Sequence, residues 1–193
     1  MNKKINLNKK GIRVLGIAES FTMKNSKSIL TGVVMRRDLV VDGVIYRNIT
    51  IGGDDATEAI VSIFTDLNRN DINCIMIDGL IISMYNIING EEIYNMTGIP
   101  IIGITFHDSI SDIIKTIKNN FPNNYLKKVE EYQKLGKREM VNLKTGKCLF
   151  IRKWGINIED TVRVIDAFLL QGAIPEPIKL AKIISKAYLK FVR

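Results

Sequence analysis

Acidic residues follow two apolar stretches of this sequence that have the β-branched composition of buried strands. Asp78 directly follows the stretch 74–77 and precedes Gly79, and Glu19 follows the stretch 11–18. Aspartate is rarely buried without a partner, so we expect Asp78 either to be held by hydrogen bonds or to face a ligand or metal. Ligands bind at the carboxyl ends of the strands in open α/β sheets, and both acidic residues are predicted to lie there.

The types and positions of these residues predict that they bind a divalent metal ion. If the strands before Glu19 and Asp78 are parallel neighbours, both carboxylates lie at one edge of the sheet, where Asp54 and Asp55 are able to join them. Oxygen ligands of this kind hold Mg²⁺ or Mn²⁺, ions that promote phosphodiester cleavage. We therefore predict Glu19, Asp55 and Asp78 as metal ligands and catalytic residues, with Asp54 in reserve. The single histidine, His107, follows the next strand and is a further catalytic candidate.

Each of these residues also has a structural interpretation. Asp55 is a good N-cap for the helix that follows it, and Glu19 fits a solvated strand-to-loop junction. Asp78 with Gly79 is a common turn pair, and a lone histidine such as His107 is more often an ordinary loop residue. The sequence leaves both interpretations open.

The elements that position these residues are predicted to form a mixed sheet flanked by helices. Segments 11–18, 28–36 and 39–51 follow one another without a helix, which predicts an antiparallel meander with a turn at Asp42-Gly43. Helices and strands then alternate, and such an order places the first strand beside the fourth in the middle of the sheet. Strands are predicted at 74–78, 99–104 and 148–151, and helices at 56–67, 86–96, after Asp108 or Ser109, at 125–135, from Asn157 to Gly172 and from Pro175.

Charge and composition favour a nucleic acid as the partner. The net charge is +8, with a pI of about 9.5, which suggests DNA or RNA; a lysine-rich surface that binds nothing is the alternative. Lysines recur along one side of the last predicted helix, and aromatic residues lie near other basic segments or close to Glu19. We predict nucleic-acid contacts at Phe21, Trp154, Lys179, Lys182 and Lys186, although a solvated helix face also explains the lysines.

The length fits one domain at 11–193, preceded by a flexible basic arm at 1–10. No stretch of the sequence is long and apolar enough to cross a membrane. Cys74 and Cys148 lie far apart in apolar runs and are expected to be buried thiols, which suggests a cytoplasmic protein.

Motifs in a consistent order along nearly the whole chain resemble endonuclease V, and more closely its archaeal relatives of the endonuclease dU group. They are GIAES at 16–20, DATE at 55–58, Asp78-Gly79, YNII at 85–88, TGIP at 97–100, CLFI at 148–151, INIED at 156–160 and IPEPIKLA at 174–181. The resemblance implies a single-domain, ribonuclease-H-like α/β fold and a divalent-metal-dependent endonuclease, in DNA repair or RNA processing, that nicks nucleic acid at uracil or hypoxanthine. It assigns the metal-binding acids to Asp78, Asp55 and an acid at the end of the first strand.

The chain departs from that pattern at several positions, two of which are central to the site. The first aspartate of the family falls on Ala18, which leaves Glu19, and strand alternation points Glu19 to the opposite face unless the strand has already ended. Lys182 stands where an acid or histidine often follows the PEP motif of endonuclease V. The alternative is therefore a catalytically impaired nucleic-acid-binding protein that retains the fold.

Overall fold

The structure, a computed structural model, describes residues 11–106 and 112–191. Elements of this part of the chain are numbered in sequence order. The strands are β1 (Arg13–Ser20), β2 (Lys27–Arg36), β3 (Val41–Thr50), β4 (Ile72–Asp78), β5 (Ile81–Ile82), β6 (Asn86–Ile87), β7 (Ile101–Thr105), β8 (Glu139–Asn142) and β9 (Cys148–Trp154). The helices are α1 (Ala56–Leu67), α2 (Gly90–Thr97), α3 (Ile113–Asn120), α4 (Tyr125–Lys134), α5 (Ile158–Ala167) and α6 (Glu176–Phe191).

A mixed sheet forms the centre of the described residues, as the sequence predicts. It has seven strands in the order β3-β2-β1-β4-β7-β9-β8, and β5 pairs with β6 in a separate hairpin. Strands β1 to β3 form an antiparallel meander, whereas β1, β4 and β7 run parallel. The first strand therefore lies beside the fourth, which brings the carboxyl ends of β1 and β4 to the same edge.

Alternating side chains of the central strands enter two separate cores. Leu15 and Ile17 of β1 pack towards α1, α2 and α3, whereas Val14 packs towards α5 and α6. Helix α6 lies directly on β1, because a Cβ atom added at Gly16 would be 2.5 Å from the carbonyl carbon of Pro177. The face of each site residue follows from this alternation.

The turn predicted at Asp42-Gly43 is wrong. Both residues lie within β3, where the pairing with β2 shifts register, and the chain turns earlier, with Leu39 in a left-handed conformation (φ 66°). The Asp42 carboxylate accepts a hydrogen bond from Arg13 Nε at 2.5 Å. Strand pairing and this ion pair outweigh the local turn preference of an Asp-Gly pair.

Several boundaries also differ from the prediction. Helix α2 begins at Gly90 and not at Asn86, because Asn89 caps it by accepting a hydrogen bond from Glu92 N at 3.1 Å. The short edge strand β8 was not predicted, and α5 ends at Ala167. Helix α3 is capped by Asp112, whereas the expected caps at 108 and 109 lie outside the described residues.

The two cysteines differ in burial. Cys74 is fully buried, as expected, but Cys148 is exposed, so the prediction of a second buried thiol is wrong. Cys148 is the first residue of β9 and pairs with Asn142 on the edge strand β8, at a margin of the sheet that the cores do not cover. Among the described residues, no helix is long and apolar enough to cross a bilayer.

Candidate functional site

Asp78 ends β4 and faces α6. An Oδ atom of Asp78 lies 3.3 Å from Nζ of Lys182, which projects from α6. Asp78 is one residue beyond the pair Ile17–Ile77, so the adjacent position on β1 belongs to Ala18. Ala18 is buried against Val33 and Ala181. The face of the sheet that carries Asp78 therefore has a methyl group where a second carboxylate would stand.

Glu19 is still within β1 and lies on the other face. The side chain is only 7% exposed, and its Oε2 atom has no hydrogen-bond partner. Burial raises the pKa of Glu19 above its usual value, although the charge of Lys182 and hydrogen bonds from Ser83 act in the opposite direction. The nearby charge of Asp78 raises the pKa of Glu19 further. Glu19 and Asp78 thus lie close enough to interact, on opposite sides of the same sheet edge.

A left-handed turn at residues 83–85 contacts Glu19, because Ser83 donates hydrogen bonds to the Glu19 carboxylate. Ser83, Met84 and Tyr85 have φ values of 42°, 56° and 66°, a conformation that costs about 1–3 kcal/mol at each residue other than glycine. Neighbouring chain segments hold the turn. The hydroxyls of Ser28 and Ser83 are 2.5 Å apart, and Gly52 N donates to the Ser83 carbonyl at 2.7 Å. Strain of this kind is typical of residues that position a functional group.

A cavity of about 370 Å³ lies between the end of β1 and α6. Its walls contain Lys182, Lys186 and Lys190 from the helix, together with residues 19–22. Oxygen atoms of Glu19, Ser20 and Thr22 are buried without a partner beside this cavity. We call it the lysine cavity. Hydroxyl donors and ammonium groups in one cavity are the chemistry of a phosphate site.

Asp55 and Asp54 are bound to other parts of the chain. The Asp55 carboxylate accepts hydrogen bonds from Thr50 N and Thr50 Oγ1 and from Asn86 Nδ2, at 2.7–3.0 Å. Burial raises the pKa of Asp55, but these hydrogen bonds outweigh it and leave the pKa below its usual value. The side chain does not cap α1. Asp55 therefore joins the end of β3 to β6.

Asp54 forms ion pairs with two lysines of α4. Its carboxylate is 2.8 Å from Lys127 Nζ and 2.7 Å from Lys128 Nζ. Lys128 is 1% exposed and also donates to the carbonyl oxygens of Gly53 and Tyr85. It thus holds both the loop before α1 and the strained turn that contacts Glu19.

The expected cluster of three acids does not form in the described part of the chain. Across residues 11–106 and 112–191, no three His, Cys, Asp or Glu side chains are arranged to hold a metal ion. Glu19 and Asp78 nevertheless offer the donor set that Mg²⁺ uses with substrate phosphates, namely one or two carboxylates. The buried, unpartnered Oε2 atom of Glu19 fits such a ligand, whereas the oxygens of Asp55 are already engaged.

The predicted nucleic-acid contacts fall in different places. Phe21, Lys182 and Lys186 line the lysine cavity, and Lys179 forms an ion pair with Glu176 one turn earlier. Trp154 pairs with Ile101 at the amino end of β7, away from Asp78, and packs half-buried against the core. His107 lies outside the described residues.

Ser83 and Lys128 were not identified from the sequence. A signal for Lys128 is present: it occupies the apolar face of α4, on which Tyr125, Val129 and Tyr132 pack against the core. A lysine at such a position needs a buried anionic partner. Ser83 has no comparable signal, because its role depends on a conformation that only the packed structure imposes.

The strand order, with β1 beside β4 in the middle of the sheet, is a ribonuclease-H-like fold similar to that of endonuclease V. The crystal structure of endonuclease V from Ciona intestinalis, in complex with a DNA 24-mer containing an inosine followed by a ribo-adenosine, aligns with a TM-score of 0.61 at 14% identity, over 94% of this chain and 87% of that chain. A protein of unknown function from Archaeoglobus fulgidus aligns with a TM-score of 0.78 at 24% identity, over 92% of this chain and 98% of that chain.

The chain belongs to the Endonuclease dU family, whose sequence model matches residues 10–189. The UPF0215 protein of Pyrobaculum calidifontis is 35% identical over 178 residues, which cover 92% of this chain and 97% of that relative. The family and the ribonuclease-H-like fold expected from the resemblance are thus confirmed.

Proposed function

We propose that the chain is a divalent-metal-dependent endonuclease that acts on DNA or RNA at deaminated bases, uracil or hypoxanthine. The observation that carries this proposal is the lysine cavity beside the two carboxylates. Lys182 contacts Asp78 and lines the same cavity as Glu19, whose Oε2 atom is buried without a partner. A phosphate bound there would lie next to both acids. The family and the fold support the same class of reaction.

The residues of the site have distinct roles in this proposal. Lys182 and Lys186 bind phosphate oxygens, and the hydroxyls of Ser20 and Thr22 donate hydrogen bonds to the same group. Glu19 and Asp78 would hold Mg²⁺ or Mn²⁺, and a bound ion would supply the Lewis-acid chemistry that activates water and stabilises charge on a leaving oxygen. Phe21, beside Glu19, contacts a base. His107 and Asp55 remain candidates from the sequence, Asp55 with a structural role as well.

The proposal is tested by cleavage of labelled strands containing uracil or hypoxanthine, as DNA and as RNA, single and double stranded, with Mn²⁺ or Mg²⁺ or with a chelator. We expect metal-dependent nicks that fall at least 100-fold in Asp78→Asn and in Glu19→Gln, because each variant removes a charged ligand. The matched control is Asp66→Asn, on the exposed side of α1, where Asp66 pairs with Arg47. Cleavage that Asp78→Asn leaves intact would rule the mechanism out.

A specific observation favours a second function, nucleic-acid binding without cleavage. Ala18 removes one carboxylate from the face of Asp78, and the Lys182 ammonium already neutralises the other. This alternative predicts salt-sensitive binding without nicks. Ala18→Asp should then raise the affinity for Mn²⁺ or produce cleavage. Unchanged affinity and activity in a folded Ala18→Asp variant would count against it.

A further inference from the structure

The register of β1 and β2 places Ser83 beside the carboxylate of Glu19. Glu19 pairs with Leu30, and Ser28, two residues before Leu30, points to the same face as a diagonal neighbour of Glu19. The hydroxyl groups of Ser28 and Ser83 are 2.5 Å apart, and both serines are buried. Ser83 does not belong to this sheet, so the turn at residues 83–85 brings its hydroxyl onto the face that carries Glu19.

The hydrogen bonds between these groups have a defined direction. The backbone N–H and the hydroxyl of Ser83 both donate to the Glu19 carboxylate. A serine hydroxyl has only one proton, so Ser28 is the donor in its contact with Ser83. A hydroxyl that accepts one hydrogen bond while it donates another is a stronger donor. Ser83 therefore holds the carboxylate, whereas Oε2 of Glu19 has no partner among the described residues.

Other parts of the chain hold this turn in a strained conformation. The ammonium group of Lys128, which is 1% exposed, donates to the Tyr85 carbonyl at 2.9 Å, and Gly52 N donates to the Ser83 carbonyl at 2.7 Å. All three residues of the turn have positive φ values and none is glycine. A turn that only connects two elements is accommodated best by glycine at such φ values, so a requirement for a side chain at this position is indicated.

We propose that Ser83 is a positioning residue, which holds the Glu19 carboxylate so that its free oxygen faces the lysine cavity and a metal ion bound there. This role rests on the proposed function. Hydrogen bonds to a carboxylate ligand orient it, and their loss typically lowers metal affinity by about 10–100-fold. A purely structural turn would instead tolerate glycine or gain stability from it, because glycine relieves the strain of a positive φ.

The variant Ser83→Gly separates the two roles. We expect it to bind Mn²⁺ at least about 10-fold more weakly than the wild type without nucleic acid, as measured from the electron paramagnetic resonance signal of free Mn²⁺. The matched control is Met84→Gly, which relieves a positive φ in the same turn without removing a hydroxyl and should keep the wild-type affinity. Ser28→Ala removes only the donor to Ser83 and should cause a smaller loss in the same direction. Thermal unfolding confirms that each variant is folded.

Cleavage of single-stranded DNA that contains uracil gives a second measurement. Ser83→Gly should lower kcat and leave KM for the DNA unchanged, because the lysines are intact, and a higher Mn²⁺ concentration should restore the rate. Wild-type Mn²⁺ affinity in Ser83→Gly and Ser28→Ala would overturn the role of Ser83 and leave the proposed function standing. Equal losses in Ser83→Gly and Met84→Gly would also overturn it, because they would reflect the turn as a whole. A wild type that neither binds Mn²⁺ nor cleaves would refute the proposed function, and with it this role.

Discussion

At the scale of single residues, Asp55 is a predicted metal ligand whose two carboxylate oxygens both accept hydrogen bonds from the protein. Its oxygens accept hydrogen bonds from Thr50 and Asn86, and Asn86 in turn accepts from Ala56 N at the start of α1. Such a set of contacts ties together the end of β3, the start of α1 and β6. In this structure, Asp55 of the DATE motif therefore stabilises the fold.

We expect Asp55→Asn to lower the free energy of unfolding by about 1–3 kcal/mol at neutral pH, because one carboxylate oxygen becomes an NH₂ group and either Thr50 Oγ1 or Asn86 Nδ2 loses its acceptor. The hydrogen bonds lower the pKa of Asp55 in the folded state below the usual value of 3.8. The stabilisation is thus fully present above pH 3.8 and is lost as the pH falls through the lower, folded-state pKa. Urea titrations of both proteins at several pH values measure this. An equal pH dependence in the variant and the wild type would contradict it.

The buried ammonium group of Lys128 leads to a second prediction at this scale, a loss of stability when it is removed. Lys128→Met fits the apolar face of α4 but leaves the Gly53 and Tyr85 carbonyls without their donor. Asp54 keeps Lys127 as a partner, so we expect a loss of about 3 kcal/mol, the low end for a broken buried pair. Denaturant unfolding measures it, with the exposed neighbour Lys127→Met as the control. A loss below that of the control would show that Lys128 does not hold the turn.

At the scale of elements, the position of α6 on β1 decides where the lysines lie. Gly16 allows this contact, because any side chain there would collide with the backbone of Pro177. The Ser185 hydroxyl of α6 also donates to the Ala18 carbonyl at 3.2 Å and lies 2.8 Å from the Thr31 hydroxyl, within hydrogen-bond distance. The lysine cavity therefore depends on close packing between a helix and a strand that are far apart in sequence.

We expect Gly16→Ala to lower the free energy of unfolding by about 3 kcal/mol, because α6 must move away from β1. We also expect it to weaken the binding of single-stranded DNA. Gly43→Ala is the matched control: it also lies in a strand, but its added methyl group would have no neighbour closer than 3.7 Å. Thermal unfolding and anisotropy measure the two effects. If the Gly16→Ala variant binds single-stranded DNA as tightly as the control does, the lysines of α6 do not form the phosphate site.

At the scale of the whole molecule, the basic segment 1–10 contributes to the net charge of +8, as do the lysines of α6. This segment carries four lysines and precedes the residues that the structure describes. The buried core begins at Ile12, so the charge of the segment can be removed without removing any residue of that core.

A chain that begins at Gly11 should unfold at the same temperature as the full chain but bind nucleic acid with a smaller salt slope. Each lysine that contacts a phosphate of a single strand contributes about 0.7 to that slope. Anisotropy over a range of KCl concentrations measures the difference. The segment makes no phosphate contact if both chains give the same slope, and it belongs to the fold if the shorter chain unfolds earlier.

The sequence alone determined the order of the longer strands and of the helices, the neighbouring positions of β1 and β4 and the family, but not the short strands β5, β6 and β8. Local signals suffice for these features: apolar runs with β-branched residues, helical periodicity in α1 and the cap at Asn157 each depend on a few adjacent residues. The same signals failed at Asp42-Gly43 and Cys148, where pairing with distant residues decides conformation and burial.

Only the tertiary structure decided which acids meet. The side-chain direction of Glu19 depends on how far β1 continues, and the availability of Asp55 depends on Thr50 and Asn86, which reach it from other elements. The sequence could name Lys182 but not its contact with Asp78, and it gave no sign that Ser83 contacts Glu19. Packing fixes the distances between groups that are remote in the chain. Short sequence patterns do not specify these distances, because they depend only on neighbouring residues.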